Sequence, residues 1–291
     1  MNSFPAPAKI NLHLQVTRTL ENGFHELDTS FAYVDVEDQL QIAPAETLTV
    51  TCSNPAFNGA NNLVHQLLEA LQQQYGITAG LSVHIDKRLP DQAGLGGGSS
   101  DAATALWVAN IHWGLNLPVE ELISFTTPFG ADIPCFLFGR ASLAQGVGEK
   151  LTDYPAPLPE GVLLLAYPGI GLSTPAVFQS YDKHAENAGS LTHHDSADNI
   201  RGLSGRAIGH NDLEASACSI SSEVERLLEQ MRNLSERAWM SGSGSTCVAL
   251  FDDHLQAESA ASLLIEKKLA TWMHIGKLLG EHPMQRRKIG A

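Results

Sequence analysis

A glycine cluster between a strand-like and a helix-like segment constrains this chain more than any other feature. The run Pro90-Asp91-Gln92-Ala93-Gly94-Leu95-Gly96-Gly97-Gly98-Ser99-Ser100 places four glycines within five positions. Glycine accepts a positive φ without steric cost, and the missing Cβ atoms let backbone N–H groups turn inward around an anion. The segment from Leu81 to Leu89 predicts a strand before the run, and the segment from Asp101 to about Trp113 predicts a helix after it. This order of strand, glycine loop and helix predicts a phosphate cradle.

The loop matches neither of the two common nucleotide-binding motifs. No lysine follows the last glycine, as GxxxxGK[ST] requires, and Ser99 stands where GxGxxG needs its third glycine. A tight strand-to-helix turn without any ligand is an equally good interpretation of the glycines alone. Ser99 and Ser100 are predicted to cap the helix, whose free N–H groups and positive dipole end would face the same anion.

The length and the charge of the chain exclude several classes of partner. With 291 residues and 43% hydrophobic content, the chain is long enough for one large domain or two medium ones. The proline-dense stretch Tyr154-Pro155-Ala156-Pro157-Leu158-Pro159 is the best boundary, which predicts domains over residues 1–153 and 160–291. A formal net charge of −14 without a Lys/Arg block argues against a nucleic-acid surface and against binding to anionic lipid.

The cysteines and the N-terminus predict a cytoplasmic protein. The four cysteines are widely spaced and form no CxxC motif, so we expect reduced, buried thiols and no metal site built from them. The segment from Met1 to Lys9 carries two prolines and a lysine where a signal peptide needs an apolar run. No stretch approaches the roughly 20 apolar residues of a membrane span.

The N-terminal part of the chain has the pattern of an antiparallel sheet. Apolar residues from Ile10 to Val16 alternate with polar ones, which predicts a half-buried strand with Lys9 and Asn11 on one face. Asn22-Gly23 is a hairpin signal, and we expect the antiparallel run to continue to Cys52.

Helix and strand signals continue along the rest of the chain. Asn61 or Asn62 can cap a helix whose apolar stripe begins at Leu63. A buried strand is predicted from Val162 to Tyr167, and later helices are predicted from Ser222 to Leu234 and from His254 to Leu269. We interpret His193-His194-Asp195 as a solvated loop, because no second cluster of metal-ligating residues accompanies it.

Three separated segments occur in the order of the three motifs of the GHMP small-molecule kinases. They are Pro7-Ala8-Lys9-Ile10-Asn11-Leu12, the glycine run from Pro90 continued to Ala103, and Met240-Ser241-Gly242-Ser243-Gly244-Ser245-Thr246. Three further segments are similar to the branch of that family that phosphorylates diphosphocytidyl-methylerythritol in non-mevalonate isoprenoid synthesis: Gly23-Phe24-His25-Glu26-Leu27, Ile85-Asp86-Lys87-Arg88-Leu89-Pro90 and Gly130-Ala131-Asp132-Ile133-Pro134. The similarity is dense from about Pro5 to Leu151 and thinner beyond it.

The resemblance implies an α+β fold in two lobes, with a ribosomal S5-like N-terminal domain and a ferredoxin-like C-terminal domain. ATP and the acceptor would meet in the cleft, with Mg²⁺ on the nucleotide phosphates and a cytidine diphosphate moiety on the substrate. The implied reaction is phosphorylation of the 2-hydroxyl of that substrate. A kinase with a homoserine-type or mevalonate-type acceptor is the nearest rival, but a small acceptor offers no base to Phe24 and His25. A non-catalytic nucleotide-binding relative is the rival from another class, and retention of Lys9 and Asp132 argues against it.

Two residues carry the chemistry that the resemblance implies. Asp132 resembles the family's catalytic aspartate, which would accept the proton of the attacking hydroxyl. Lys9 resembles its partner lysine, which would hold that carboxylate ionised and orient the hydroxyl, since a nearby cation lowers the pKa of a carboxyl group. The alternative interpretations are that Asp132 caps the helix before Ile133-Pro134, a common use of aspartate, and that Lys9 is a solvated strand end.

Binding residues follow from the same resemblance. The whole run from Pro90 to Ser100 would surround the phosphates of ATP, while Asn62 and Lys87 would line the adenosine side. Phe24 and His25 resemble the cytosine-binding pair and Phe178 the aromatic ring on the other face of the base. Phenylalanine at position 24 keeps the stacking area of the tyrosine that many family members have there, but it lacks the hydroxyl. Asn11 and Thr174 would hold the methylerythritol or diphosphate end. An exposed turn aromatic, a core phenylalanine, helix caps and surface groups are the alternative interpretations of these residues.

Overall fold

The computed structural model describes residues 2–21, 23–187 and 208–286, and this part of the chain forms two lobes, each built on one sheet. His193-His194-Asp195 and Asn22 lie outside the described residues. Among the described helices, none is both long and apolar enough to cross a membrane.

The first lobe is a seven-stranded sheet covered by helices. Its strands are β1 (Asn2–Thr19), β2 (His25–Ala45), β3 (Thr49–Cys52), β4 (Gly80–Asp86), β5 (Ser142–Gly146), β6 (Lys150–Asp153) and β11 (Leu278–Leu279). The main order is β3-β4-β2-β5-β6, and both β1 and β11 pair with the long strand β2. The helices are α1 (Leu63–Tyr75), α2 (Gly97–His112), α3 (Val119–Thr126) and α4 (Ile133–Phe138), and their apolar faces share one core with the sheet.

The second lobe has the ferredoxin-like arrangement that the resemblance implied. Its strands are β7 (Val162–Tyr167), β8 (Ala238–Met240), β9 (Cys247–Phe251) and β10 (Trp272–Gly276). They are ordered β10-β7-β9-β8 and every pair is antiparallel. The helices are α5 (Thr174–Asn187), α6 (Glu214–Ile220), α7 (Ser222–Leu234) and α8 (His254–Glu266). Helices thus separate β7 from β8 and β9 from β10, as in the βαββαβ order of that fold.

Strand β1 is buried on both faces from Phe4 to Leu14, so the prediction of a half-buried strand was wrong for this part. Its polar residues Asn11 and His13 are buried, like their apolar neighbours Ile10, Leu12 and Leu14. The second lobe contacts both faces, because Ile10 and Leu12 pack in one cluster with Trp239 from β8, while the His13 ring stacks on the His210 ring with centroids 5.2 Å apart. The Trp239 indole also donates a hydrogen bond to the Asn11 carbonyl oxygen over 2.8 Å. Strand β1 thus lies between the two lobes, and contacts with both of them hold the side chains of Asn11 and His13 in position.

Some local predictions are confirmed, and one about strand pairing is wrong. Asn62 caps α1 through a 2.8 Å bond from the Val64 amide, as predicted. The hairpin is closed by the Leu20 amide, which donates to the Phe24 carbonyl oxygen, and by the Gly23 amide, which donates to the Leu20 carbonyl oxygen. Strand β3 does not continue an antiparallel run, because it pairs in parallel with β4. A parallel neighbour must be reached by a crossover, and helix α1 provides it.

The described cysteines are all free thiols, and three of them are buried; Cys218 is only partly buried, which corrects the expectation for that residue.

The segment after β10 returns to the first lobe. Strand β11 pairs with β2, and the Ala141 amide donates to the Gly280 carbonyl oxygen over 2.7 Å. The His282 amide then donates to the carbonyl oxygen of Gly139, the residue that ends α4. The His282 ring is buried edge-on against three aromatic rings: Tyr33, Trp107 and Phe136. The C-terminal segment thus braces the helix that begins next to Asp132.

Candidate active site

The glycine loop needs glycine at two positions for different steric reasons. Gly94 has φ +76°, and a Cβ there would lie 2.2 Å from the Ser241 carbonyl oxygen. Gly96 has φ +68°, and its Cβ would come within 2.9 Å of the Phe136 ring. Both backbone conformations are ones that L side chains rarely adopt. The loop is therefore shaped by positive φ values and by close neighbours from α4 and from the 241–246 segment.

Helix α2 begins at Gly97, two residues before the serines that were predicted to cap it. Gly96 is the N-cap residue, and no side chain makes a capping hydrogen bond. The prediction of Ser99 and Ser100 as caps was therefore wrong, because the left-handed Gly96 already turns the chain into the helix. Ser99 lines the cleft, whereas Ser100 is fully buried. The first backbone N–H groups of α2 are left without side-chain caps, next to the loop.

A cleft of about 580 Å³ lies between the loop and the second lobe. This volume is within the range of small-molecule sites, about 300–1,000 Å³. Most of the residues predicted to bind ligands line it: Lys9, Asn11, Lys87, Pro90, Asp91, Gln92, Ala93, Gly94, Gly96, Gly97, Gly98, Ser99, Asp132, Thr174 and Phe178. The other predicted residues are not in its wall: Leu95, Ser100, Phe24, His25 and Asn62. An adjoining cavity of about 250 Å³ contacts Asn62 and shares Lys87 and Gly98 with the cleft.

Lys9 and Asp132 meet at the cleft. The Lys9 ammonium lies 3.5 Å from Asp132 Oδ2, with 3% of the lysine side chain and 39% of the aspartate side chain exposed. The ammonium also donates to Asn11 Oδ1 over 2.8 Å and lies 5.3 Å from the centroid of the Phe31 ring. Asp132 stands at the N-cap position of α4, yet its side chain makes no capping hydrogen bond. Its carboxylate is thus directed to the lysine and the cleft rather than to the helix.

The Asn11 side chain is held in both directions. Its Oδ1 accepts from Lys9, and its Nδ2 donates to Thr29 Oγ1 over 2.8 Å. The Asn11 amide donates to Ser241 Oγ, which in turn donates to the Gly94 carbonyl oxygen over 3.0 Å. These bonds bring the three motif segments of the sequence into direct contact. Asn11 therefore orients the Lys9 ammonium as well as lining the cleft.

Lys87 lies in a buried cluster that sequence reasoning missed. Its ammonium donates to Asp38 Oδ2 and, over 2.9 Å, to Asp101 Oδ2. Burial alone would lower the pKa of Lys87, but the carboxylates of Asp101 and Asp38 outweigh burial and raise that pKa. Burial raises the pKa of Asp101 to about 7, against the attraction of Lys87. Asp38 is distant from Lys87 in sequence, so no local pattern could have identified the cluster.

The predicted base-binding residues are only partly together. The His25 ring stacks on the Phe178 ring, with centroids 4.6 Å apart and planes 22° from parallel. His25 Nε2 pairs with Asp182 Oδ1 over 2.7 Å, a partner that sequence reasoning missed. Phe24 is 64% exposed and is not in the wall of the cleft. Thr174 Oγ1 bonds to Ser243 Oγ over 2.8 Å, which links α5 to the third motif segment.

The described residues contain no group of three or more His, Cys, Asp or Glu side chains that could hold a metal ion. Mg²⁺ commonly keeps several waters and binds through substrate phosphates with one or two protein ligands. A metal held mainly by a nucleotide is compatible with this donor set.

Two models of known protein families match this chain, one in each lobe. The model of the GHMP kinases N terminal domain matches residues 62–140, and the model of the GHMP kinases C terminal domain matches residues 195–269. Among solved structures, a homoserine kinase from Cytophaga hutchinsonii is 15% identical with a TM-score of 0.63, which shows the shared fold alone.

Similarity to named relatives extends over nearly the whole chain. A 4-diphosphocytidyl-2-C-methyl-D-erythritol kinase of Cupriavidus metallidurans is 37% identical over 98% of this chain and 95% of its own length. A kinase of the same name from Ralstonia pickettii is 38% identical over 88% of each chain. The crystal structure of a 4-(cytidine 5'-diphospho)-2C-methyl-D-erythritol kinase is 30% identical, with a TM-score of 0.75 over 96% of this chain and 100% of that one. The chain therefore belongs to the 4-diphosphocytidyl-2-C-methyl-D-erythritol kinases, a family of the GHMP kinases.

Proposed function

We propose that this chain transfers the γ-phosphoryl group of ATP to the 2-hydroxyl of 4-diphosphocytidyl-2-C-methyl-D-erythritol, a step in the synthesis of isoprenoid precursors. The relatives above carry the name of this kinase. The single observation that supports a working site is the Lys9–Asp132 pair, which faces the same cleft as the glycine loop. In this proposal residues 1–153 supply the loop and the reacting pair, and residues 160–291 supply Thr174 and Phe178.

The proposed transfer needs few side chains. Asp132 Oδ2 accepts the proton of the acceptor hydroxyl while the hydroxyl oxygen attacks the γ-phosphorus and ADP leaves. Lys9 lies 3.5 Å from Asp132 and places a positive charge beside the reacting oxygen atoms. Because the transition state of phosphoryl transfer is loose, positioning and electrostatic stabilisation provide most of the rate enhancement. A positioned acid–base group contributes about 10²–10⁴ to the rate.

We assign the phosphates of ATP to the glycine loop and to the uncapped N-terminus of α2. Backbone N–H groups and the helix dipole favour an anion at that place. Mg²⁺, when bound, would neutralise charge on the phosphates. It would be held mainly by the nucleotide, with the Ser99 hydroxyl, which lines the cleft, as the protein ligand. The adjoining cavity beside Asn62 is assigned to the adenosine, with Lys87 at the border of the two.

We assign the cytosine ring to His25 and Phe178. The two rings stack in the structure, so a base would enter by displacing one of them and stacking in its place. Asp182 fixes the His25 ring through Nε2 and so determines which side of it faces a ligand. Asn11 and Thr174 would contact the methylerythritol or diphosphate end. Phe24, on the exposed turn, would add stacking area only if that turn folded over the base.

We also propose a cytoplasmic location. The described cysteines are all free thiols, as expected in a reducing compartment, and ATP is available there.

A substrate panel tests the proposal. The purified protein, with ATP and Mg²⁺, is given the cytidine diphosphate substrate, homoserine or mevalonate, and ADP release is followed. We expect turnover of the cytidine substrate alone, with a mass increase of one phosphoryl group on the product. Turnover of homoserine or mevalonate without turnover of the cytidine substrate would replace the proposal by the nearest rival. Absence of ADP release with every acceptor would support a non-catalytic protein.

A further inference from the structure

One buried ammonium joins three structural elements beneath the glycine loop. Lys87 directly follows β4, Asp38 lies in β2, and Asp101 lies near the start of α2. The Lys87 ammonium donates to both carboxylates, and the exposed fractions of the three side chains are 13%, 0% and 4%. We call these three residues the Lys87 clamp.

The clamp fixes both ends of the loop. Asp38 Oδ1 accepts the amides of Arg88 and Leu89 over 2.6 and 2.9 Å, which holds the chain where it enters the loop. Lys87 holds Asp101 over 2.9 Å, which ties the helix at the exit of the loop to the same point. A buried charge pair with well-formed hydrogen bonds has a defined geometry. The two ends are therefore tied to one ammonium.

Gly97 shows how closely the loop packs on the clamp. A Cβ at this position would lie 3.2 Å from Lys87 Nζ and 3.4 Å from Asp38 Oδ2. Unlike Gly94 and Gly96, Gly97 has no positive φ. Its small size is explained by the ammonium that lies against it, which indicates that the loop and the clamp form one packed unit.

We propose that the Lys87 clamp is a positioning device that holds the glycine loop in its phosphate-binding shape and thereby sets the affinity for ATP. Asp38 acts without touching the nucleotide, because its side chain is fully buried and does not line the cleft. The inference rests on the proposed function, since it assigns the phosphates of ATP to this loop. It adds two aspartates to the residues on which nucleotide binding depends.

A direct contact between Lys87 and the phosphates predicts the opposite change in ATP affinity. If Lys87 bound ATP mainly as a free charge, removal of a neighbouring carboxylate would release that charge and reduce repulsion of the phosphates. The affinity for ATP would then rise. If the clamp positions the loop, removal of a carboxylate loosens the loop and the affinity for ATP falls. The two models are thus separated by the direction of one change.

The test uses the full chain with Asp38→Asn and, separately, Asp101→Asn. Binding of ATP with Mg²⁺ and binding of adenosine are measured by calorimetry, and folding is checked by circular dichroism. For Asp38→Asn we expect the Kd of ATP to rise by about tenfold, the loss of one charge-assisted hydrogen bond. For Asp101→Asn we expect a smaller rise, because the amide oxygen still accepts from Lys87. In Asp38→Asn the Kd of adenosine and the KM of the acceptor should change less than about twofold, because Asp38 lines neither the cleft nor the adjoining cavity.

The control is Asp153→Asn, which removes a carboxylate from an exposed pair with Arg140 in the same lobe. It should leave both affinities unchanged. An unchanged or lower Kd of ATP in folded Asp38→Asn would overturn the inference, and so would an equal loss of affinity for ATP and adenosine. If Asp38→Asn does not fold, Asp101→Asn decides, because it keeps the Lys87–Asp38 pair. Since Asp101 lines the cavity assigned to adenosine, a rise in the Kd of ATP no larger than the rise in the Kd of adenosine would overturn the inference. Failure of the proposed function would be seen separately, as wild-type protein that binds ATP but does not phosphorylate the cytidine substrate.

Discussion

Two buried lysines lie on either side of the glycine loop, and each faces carboxylates in a different environment. Lys9 pairs with Asp132 over 3.5 Å, and 39% of the Asp132 side chain remains exposed to the cleft. Lys87 pairs with Asp38 and Asp101, whose side chains are 0% and 4% exposed. The residue types are the same in both places. Only the first pair leaves a carboxylate oxygen where a substrate hydroxyl could reach it.

The comparison shows that access, rather than pairing, separates a reacting pair from a positioning cluster. A carboxylate can accept a proton from a substrate only if that substrate comes within hydrogen-bond reach. Asp132 meets this condition, whereas Asp38 gives its second oxygen to two backbone amides of the loop entrance. The Lys9–Asp132 ion pair thus acts in turnover, whereas the ion pairs of the Lys87 clamp hold the shape of the glycine loop.

The largest expected effect is on turnover at the open pair. Asp132→Asn keeps the size of the side chain but removes the proton acceptor. We expect kcat to fall by about 10²–10⁴, with ATP affinity and melting temperature nearly unchanged. Rapid-quench kinetics under conditions in which chemistry limits turnover would measure the change. Near-normal kcat in the folded variant would contradict the role of Asp132, and Asp153→Asn on the exposed Arg140 pair serves as the control.

The second prediction concerns stability. Here we expect the larger effect at the Lys87 clamp and the smaller one at the Lys9–Asp132 pair. Lys87→Met leaves two buried carboxylates without their cation, which we expect to lower the free energy of unfolding by about 3–5 kcal/mol. Lys9→Met leaves Asp132 partly solvated and removes one hydrogen bond to Asn11, so we expect a loss of about 1–2 kcal/mol. Urea unfolding followed by circular dichroism compares the two variants. Equal losses would mean that exposure of the carboxylate does not distinguish the sites.

His282 extends the comparison to a buried titratable group that has no opposing charge. Its Nε2 has no hydrogen-bond partner among the described residues, and burial lowers its pKa from 6.5 to about 3. Below pH 6.5 the unfolded chain binds a proton that the folded chain does not, so stability is lost as the pH falls towards 3. At pH 5 this one residue should cost about 2 kcal/mol.

His282→Phe removes the titratable imidazole and keeps an aromatic ring against Tyr33, Trp107 and Phe136. Relative to wild type, the variant should therefore gain stability between pH 7.5 and pH 5, as measured by thermal melts in matched buffers. A constant difference between the two proteins across this range would show that His282 does not remain neutral in the fold.

Local signals in the sequence predicted much of the fold. Asn62 before an apolar stripe predicted the start of α1, and the spacing from Ser222 to Leu234 predicted α7 with its observed bounds. These elements depend on neighbours within a few residues. The position of Asn11 could be predicted only in part, because its backbone is held by hydrogen bonds with Trp239 and Ser241 of the other lobe, which no local pattern indicates.

In the candidate site, too, features set by neighbouring residues could be predicted and features set by distant residues could not. The glycine loop was visible from its composition, but the reason for Gly94 is the Ser241 carbonyl oxygen, 147 residues further along the chain. The pairing of Lys9 with Asp132 followed from a family resemblance and from no spacing rule. The Lys87 clamp was missed because Asp38 belongs to a strand whose pattern gave no sign of a ligand for a lysine 49 residues away.

The return of the chain to the first lobe has a consequence for protein synthesis. Strand β2 obtains its partner β11, and Gly139 its bond from the His282 amide, only after residue 282 has left the ribosome. Domains that emerge early generally fold as units during translation. In this lobe, the brace behind α4 is translated more than 140 residues after Gly139. A nascent chain that stopped before residue 278 would carry the glycine loop but would lack the support of the helix that follows Asp132.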